Sequence, residues 1–293
     1  MAPPIRRSNY APGVNIGKLA ASDLEPLLAI QHAFAGETAP WTAETLHQIL
    51  YGRGGGDHVW VARDEGAVVG AIGCMPRGDV FSLFPLLAVT GRVASALVEL
   101  GLREAGSTPW IRASTGARDS HVARVLQDLD FVLHGELLDL SRPTGDLAAP
   151  EIAPLRWCSL TELEPSRLLA LHNETFREHP LALDFFAQLV LGASASASSV
   201  IADGDRYVAY LIARREVDAL VPYAHIHFVG VRDAYRRRGL GRAMIARALG
   251  GAHREGLPVL RATVSSLNAG SRELHRRSGF SVLHRDFVWE YTR

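Results

Sequence analysis

The feature that most constrains this chain is an internal echo at a fixed distance. RATVSS at Arg261 repeats RASTGA at Arg112, an offset of 261 − 112 = 149 residues, and the same offset carries Asp119 onto Asn268 and Phe131 onto Phe280. DSHVARVLQDLDF therefore lies over NAGSRELHRRSGF, and ARDEGAVVGAI upstream resembles IADGDRYVAYLI. Shared letters that keep order and register with the elements around them predict two copies of one α/β (α+β) unit. The full length of 293 residues suits two such halves.

Alternating apolar runs such as HVWVARD and AVVGAIGCM, separated by Asp64-Glu65-Gly66, read as strands. Asp23–Ala35, the stretch opened by Thr42, Val93–Ala105 and Val122–Leu129 read as helices. Pro143 to Pro154 holds three prolines among small residues and reads as a linker. The expected division is a flexible arm 1–13, a first unit 14–142, a linker 143–151 and a second unit 152–293. A hydrophobic content of 47% is ample for packed cores, and 31 basic against 31 acidic residues leave no net charge to recruit nucleic acid. Cys74 and Cys158 stand far apart with no CxxC pair, which excludes a metal ribbon or a disulfide framework. No apolar run is long enough for a membrane span or suited to a signal peptide, so the expected location is cytoplasmic, with no membrane partner.

The chemistry-bearing motif lies in the second copy. The apolar run HIHFVGV (His225 to Val231) reads as a strand, and after it Arg236-x-x-Gly239-x-Gly241 opens an amphipathic helix. Two glycines allow close backbone approach, and the helix N-terminus behind them offers free N–H groups and a positive dipole end. Arg236, Arg237, Arg238 and Arg242 add charge matched to phosphates, so the turn reads as a diphosphate cradle. GLGRAM lacks the third glycine of a Rossmann turn, and the Gly-Lys-Ser/Thr of a P-loop is missing.

VGVRDAYRRRGLGRAM resembles the acetyl-CoA-binding motif of the GNAT superfamily of N-acetyltransferases, and NAGSRELHRRSGF, from Asn268, is similar to that family's next motif. The resemblance implies two tandem GNAT-like domains, each a mixed, mostly antiparallel sheet flanked by helices, a layout similar to that of mycothiol synthase among others. It implies acetyl-CoA as co-substrate and no metal. The backbone of Val229, Gly230 and Val231 would pair with the pantetheine arm. The turn from Arg236 through Arg237, Arg238, Gly239, Leu240 and Gly241 to Arg242 would hold the diphosphate, with Asn268 at the arm or capping its own helix. The first copy departs from the motif. At an offset of 150, Gly91 lies under Gly241 but Val89 replaces Gly239 and Leu86 replaces Arg236, so residues 14–142 read as a degenerate domain.

Many relatives place a glutamate base six residues before the strand's final valine; here that position, 231 − 6 = 225, is His225. Where relatives carry a tyrosine acid after a leucine, this chain has Leu274-His275. The expectation is that His225 assists amine deprotonation and that His275 protonates the leaving sulfur. His227 shares the nominal face of His225, and both also fit as packing residues. Asn173, Phe176 and His179 sit where the family walls its acceptor site, and ASASASS (Ala193 to Ser199) reads as a flexible loop or lid. The expected activity is direct transfer of acetyl from acetyl-CoA to a small-molecule amine in a ternary complex, by a monomer or homodimer. A protein N-terminus or lysine as acceptor, or an acyl-CoA sensor without catalysis, are the alternatives.

Overall fold

The computed structural model describes residues 13–35, 42–51, 57–77, 79–116, 120–160, 163–177, 180–216 and 221–293. The expected arm, apart from Gly13, and Asp119 of the internal echo lie outside the described residues. Twelve strands and eight helices are described, and their order is read twice. The first pass is β1 (Val14–Lys18), α1 (Leu24–Ala35), α2 (Ala43–Tyr51), β2 (Val59–Asp64), β3 (Ala67–Arg77), β4 (Val80–Ala88), α3 (Gly91–Glu104), β5 (Trp110–Thr115), α4 (His121–Asp128) and β6 (Val132–Pro143). The second is β7 (Arg156–Cys158), α5 (Pro165–Thr175), α6 (Leu183–Leu191), β8 (Ser199–Asp203), β9 (Arg206–Glu216), β10 (Tyr223–Val231), α7 (Leu240–Arg254), β11 (Val259–Ser265), α8 (Ala269–Arg277) and β12 (Ser281–Thr292).

The chain divides into two compact units, 1–137 with 284–293, and 138–283. The first is made of two segments of chain and the second of one. In the first, strands run β1-β2-β3-β4-β5 and then the end of β12, with β4–β5 parallel and the other pairs antiparallel. In the second, the end of β6 lies beside β11, followed by β10, β9, β8 and β7, with β10–β11 the parallel pair. Each pass thus supplies the closing strand of the other unit. Trp289 shows why this is firm: its ring is 1% exposed in the first unit's core and its indole N–H donates to Thr115 at 3.0 Å. A large apolar side chain with its one polar atom satisfied anchors the borrowed strand.

The second unit packs both faces of its sheet. On one, Leu240, Met244, Ala248, Leu249 and Ala252 form the apolar stripe of α7 against Val208, Leu211, Ile226 and Leu260. On the other, Leu168, Leu171 and Phe186 from α5 and α6 cover Tyr210, Ile212 and Phe228. The segment expected as a linker belongs to this packing. Thr144 donates its hydroxyl to the Leu257 carbonyl at 2.6 Å, and Leu147, Ile152 and Leu155 lie on the α7-side core. The ASASASS segment is likewise pinned rather than a lid. Ser198 accepts from the Ala213 N–H at 2.9 Å and donates to its carbonyl at 3.0 Å, while Ser194 and Ser196 both reach Glu255. No described helix is long and apolar enough to cross a membrane.

Candidate active site

The site is built where β10 leaves its parallel partner. β10 pairs with β9 along its whole length, from Tyr223↔Glu216 to Val231↔Ala209. Its pairing with β11 covers only Ala224↔Leu260, His225↔Arg261 and Ile226↔Ala262. Beyond Ile226 the two strands part, and the β11-facing backbone edge of Val229 and Val231 is left without ladder bonds to β11. A bulge between Ile226 and Phe228 coincides with the parting. The extra residue re-phases the strand, turning Phe228 toward α5 and Val229 and Val231 toward α7. Gly230 is needed where it stands, because a Cβ there would lie 2.5 Å from the Tyr210 ring.

Past Val231 the chain makes a short 3-10 turn, Asp233–Tyr235, and enters α7 through two residues of positive φ, Arg237 at 61° and Gly239 at 82°. Gly239 is the N-cap and brings no side-chain cap; the first helical bond runs from the Ala243 N–H to the Gly239 carbonyl. The amides at the head of the helix therefore point out of the turn with no intrahelical acceptor, an anion-binding arrangement. The second glycine has a different reason. A Cβ at Gly241 would lie 3.1 Å from Leu274 of α8, so it permits helix packing rather than ligand approach.

The four arginines divide their work. Arg236 folds back, donating to the Val231 carbonyl at 3.1 Å and pairing with Asp233 at 3.0 Å, which locks the strand end to the turn. Arg238 lies over the Tyr235 ring at 5.1 Å, and the Tyr235 hydroxyl donates to Asp203 at 2.7 Å. Arg237 and Arg242 are exposed and make no ion pair among the described residues, so their charges stay available at the helix head. In the first unit the equivalent position is Thr90, which caps α3 by accepting from the Val93 N–H at 3.3 Å. Matching the two N-caps gives 239 − 90 = 149, the offset of the rest of the repeat, so Thr90 and not Val89 stands for Gly239. That turn uses a helix-head amide internally.

On the sheet face opposite α7, polar side chains gather at the bulge. His225 Nε2 lies 3.3 Å from the Thr263 hydroxyl, which donates to Asp139 at 2.6 Å. His227 Nε2 lies 3.1 Å from Glu216, and the two imidazoles are 4.9 Å apart, edge to face. Burial, followed by the charge of His227, holds His225 down to about 4, so the ring is neutral at neutral pH. Glu216 is held below the usual carboxylate range, chiefly by its hydrogen bond to His227. Glu216, Thr263 and Asp139 were not legible as site residues, because nothing local in sequence joins β9, β11 and β6.

Other sequence-derived candidates fall elsewhere. His275 is 1% exposed, its Nδ1 lies 2.8 Å from the Ser271 carbonyl, and its ring meets Phe280 edge-on at 5.0 Å. Nδ1 must carry the ring's proton to make that bond, and burial lowers the ring's pKa; Nε2 is left a buried acceptor without a partner. The ring as placed has no proton to donate to sulfur, which removes the basis for the expected acid. Asn268 caps α8, accepting from the Ser271 N–H at 2.9 Å. Asn173 is a staple: its Oδ1 accepts from the Leu181 N–H at 2.9 Å and its Nδ2 donates to the Leu181 carbonyl at 3.3 Å. Asn173→Ala should cost about 1–3 kcal/mol by orphaning both groups, read as a lower urea midpoint at unchanged slope. Phe176 packs on His172 with ring centroids 4.9 Å apart, in the core under α5. His179 lies outside the described residues. Among the described residues no cluster of three His, Cys, Asp or Glu is placed to hold a metal.

Comparison with known proteins places this geometry. Residues 155–280 match the model of the acetyltransferase (GNAT) family. No curated protein matches the sequence. Among solved structures, a GCN5-related N-acetyltransferase from Sphaerobacter thermophilus aligns over 96% of both chains with a TM-score of 0.82 at 16% identity. A tandem GNAT protein from the clavulanic acid biosynthesis pathway aligns over 95% of this chain and 98% of its own, with a TM-score of 0.67 at 15% identity. A glucosamine N-acetyltransferase region of a fungal multi-domain β-N-acetylglucosaminidase aligns over 96% of this chain and 38% of its own, with a TM-score of 0.76 at 16% identity. Residues 155–280 of the chain thus match the acetyltransferase (GNAT) family, on a fold that the whole chain shares with a GCN5-related N-acetyltransferase and a tandem GNAT protein.

Proposed function

We propose that the second unit transfers an acetyl group from acetyl-CoA to the amine of a small molecule, the amine attacking the thioester directly while both substrates are bound. The observation that carries this reading is the parting of β10 from β11 beyond Ile226↔Ala262, at the foot of which the Arg237–Arg242 turn presents unpaired amides. The backbone of Val229 and Val231 would hold the pantetheine arm, as a third strand would. The amides from Arg237 to Arg242, with the free charges of Arg237 and Arg242, would hold the diphosphate. The imidazole cluster at the bulge sits at the other end of that groove, four residues or about 13 Å of strand from Val231. There it meets the reacting end of a ligand whose diphosphate is anchored at the helix.

The acceptor enters as an ammonium and must lose a proton before its nitrogen can attack. Attack forms the C–N bond, and collapse breaks the C–S bond. A thiol titrates near 8.5, so the departing thiolate takes a proton from water without a dedicated acid. This removes the need for His275 as a donor. The likeness to a glucosamine N-acetyltransferase region supports a small amine as acceptor. Incubating the protein with acetyl-CoA and a panel of small amines, beside peptides with free N-termini or lysines, and following free thiol tests the reading. Thiol release with small amines is expected. Release with peptides alone moves the acceptor to protein, and saturable acetyl-CoA binding with no release supports a sensor.

A further inference from the structure

The bulge brings together two imidazoles, one bonded to a hydroxyl and the other to a carboxylate, and their surroundings differ. His225 is paired in register with Arg214 on β9 and Arg261 on β11, so an arginine flanks it on each side. Cross-strand neighbours share a sheet face, and positive charge there opposes a second one on the ring. Its partner is the Thr263 hydroxyl, which spends its proton on Asp139 and therefore accepts from His225 Nε2–H. His225 gains no direct contact with a negative charge.

His227 is the reverse case. It sits at the bulge itself, where β10 separates from β11, and its side chain is 28% exposed, open to a substrate. Its Nε2 faces Glu216 at 3.1 Å. A carboxylate can only accept, so Nε2 carries the ring's proton and Nδ1 presents a lone pair. A ring that takes a second proton at Nδ1 stays bonded to Glu216, whose charge steadies the imidazolium and whose position fixes the ring. The charged or titratable groups around this pair are Arg214 from β9, Tyr223 and His225 from β10, Arg261 from β11, Asp139 from β6 and, behind Phe228, His172 from α5.

We propose that His227 is the catalytic base that takes the acceptor amine's proton, that Glu216 is its positioning residue, and that His225, held by Thr263 and Asp139, is a neutral neighbour. The inference rests on the acetyl-transfer reading and refines it. In the balanced step, the ammonium gives one proton to His227 Nδ1 and the freed amine attacks the thioester carbon. The C–S bond then breaks. The tetrahedral nitrogen gives up its second proton, the sulfur ends as a thiol, and one proton overall passes to solvent from the His227–Glu216 pair.

The test measures kcat, KM and pH–rate profiles of the full chain with acetyl-CoA and the best amine of the panel, beside CoA affinity by calorimetry. His227→Ala should lower kcat by about a hundredfold or more at unchanged CoA affinity, the usual size of a general-base contribution. Glu216→Gln should lower kcat less than His227→Ala does, with KM for the amine little changed, because the ring loses the carboxylate that orients it. His225→Ala should fall less than His227→Ala. If His227→Ala keeps kcat within threefold while the wild type turns over, or if His225→Ala is the more damaged, the assignment to His227 is overturned and acetyl transfer stands. A kcat in Glu216→Gln equal to that of the wild type removes the positioning role. If the wild type binds acetyl-CoA yet releases no thiol with any amine or peptide, the acetyl-transfer reading fails and takes the base with it.

Discussion

Valine at position 239 is expected to weaken CoA binding by about a hundredfold while leaving most of the second unit folded. Gly239 sits at φ 82° as the N-cap of α7, and a Cβ there would meet nothing within 4 Å. The substitution is thus not a clash. Its cost comes from the backbone, because the left-handed region costs an L-residue about 1–2 kcal/mol and a β-branched one more. Relief of that strain re-aims the amides of Leu240, Gly241 and Arg242, and each charge-assisted bond lost is worth about 1.5–3 kcal/mol. One such bond together with part of the strain reaches about 2.7 kcal/mol, the hundredfold. Calorimetric titration with CoA reads it directly. Gly239→Ala should show the same loss in milder form. Affinity unchanged in both variants would mean that the turn does not hold the diphosphate.

Gly251→Ala is expected to be the most damaging single methyl in the second unit. A Cβ at this position would lie 2.1 Å from the Ser196 carbonyl oxygen and 2.5 Å from its carbon. The obstacle is backbone, and that backbone cannot retreat. Ser196 donates to the Gly251 carbonyl at 3.2 Å, and Ser198 is bonded in both directions to Ala213 at the centre of the sheet. Gly250 beside it is as tightly crossed, its Cβ position lying 2.1 Å from the Leu147 carbonyl oxygen. Two chain segments therefore pass over α7 at one Gly-Gly step. Overpacking against fixed neighbours costs about 3 kcal/mol or more, which lowers a transition of this size by about 6–12 °C. Scanning calorimetry should show that drop. Gly145→Ala, with nothing within 4 Å, should leave the transition in place.

The twofold order of elements was legible because it rests on local signals. Turn residues and apolar period mark strands and helices wherever they occur, and the offset of 149 holds from N-cap to N-cap once Thr90 is set against Gly239. Which sheet receives the last strand of each pass was not legible. β6 and β12 carry the same alternating pattern, and only the burial of Trp289 against Thr115 shows where β12 ends. The positive-φ turn at the head of α7 could be read, since Gly239 and its arginines lie within one short stretch of chain. The imidazole cluster could be read only in half. His225 and His227 stand two apart on a strand, but Glu216, Thr263 and Asp139 come from three other strands. Polar residues in helices misled in the other direction. Asn173 and His275 resemble site residues by position, yet both spend their hydrogen bonds on backbone of their own neighbourhood. The serine-rich loop looked free because its composition is small and polar, whereas each hydroxyl of Ser194, Ser196 and Ser198 has a partner.

In the proposed complex acyl-CoA lies along the open edge of β10 with its diphosphate at the head of α7. A crystal structure of the protein with acetyl-CoA tests it most directly. Diphosphate oxygens are expected within hydrogen-bonding distance of backbone amides between Arg237 and Arg242, the pantetheine arm beside Val229 and Val231, and the thioester next to His227. A diphosphate seated instead at the head of α3 beside Thr90, or one held away from the α7 turn altogether, would contradict it.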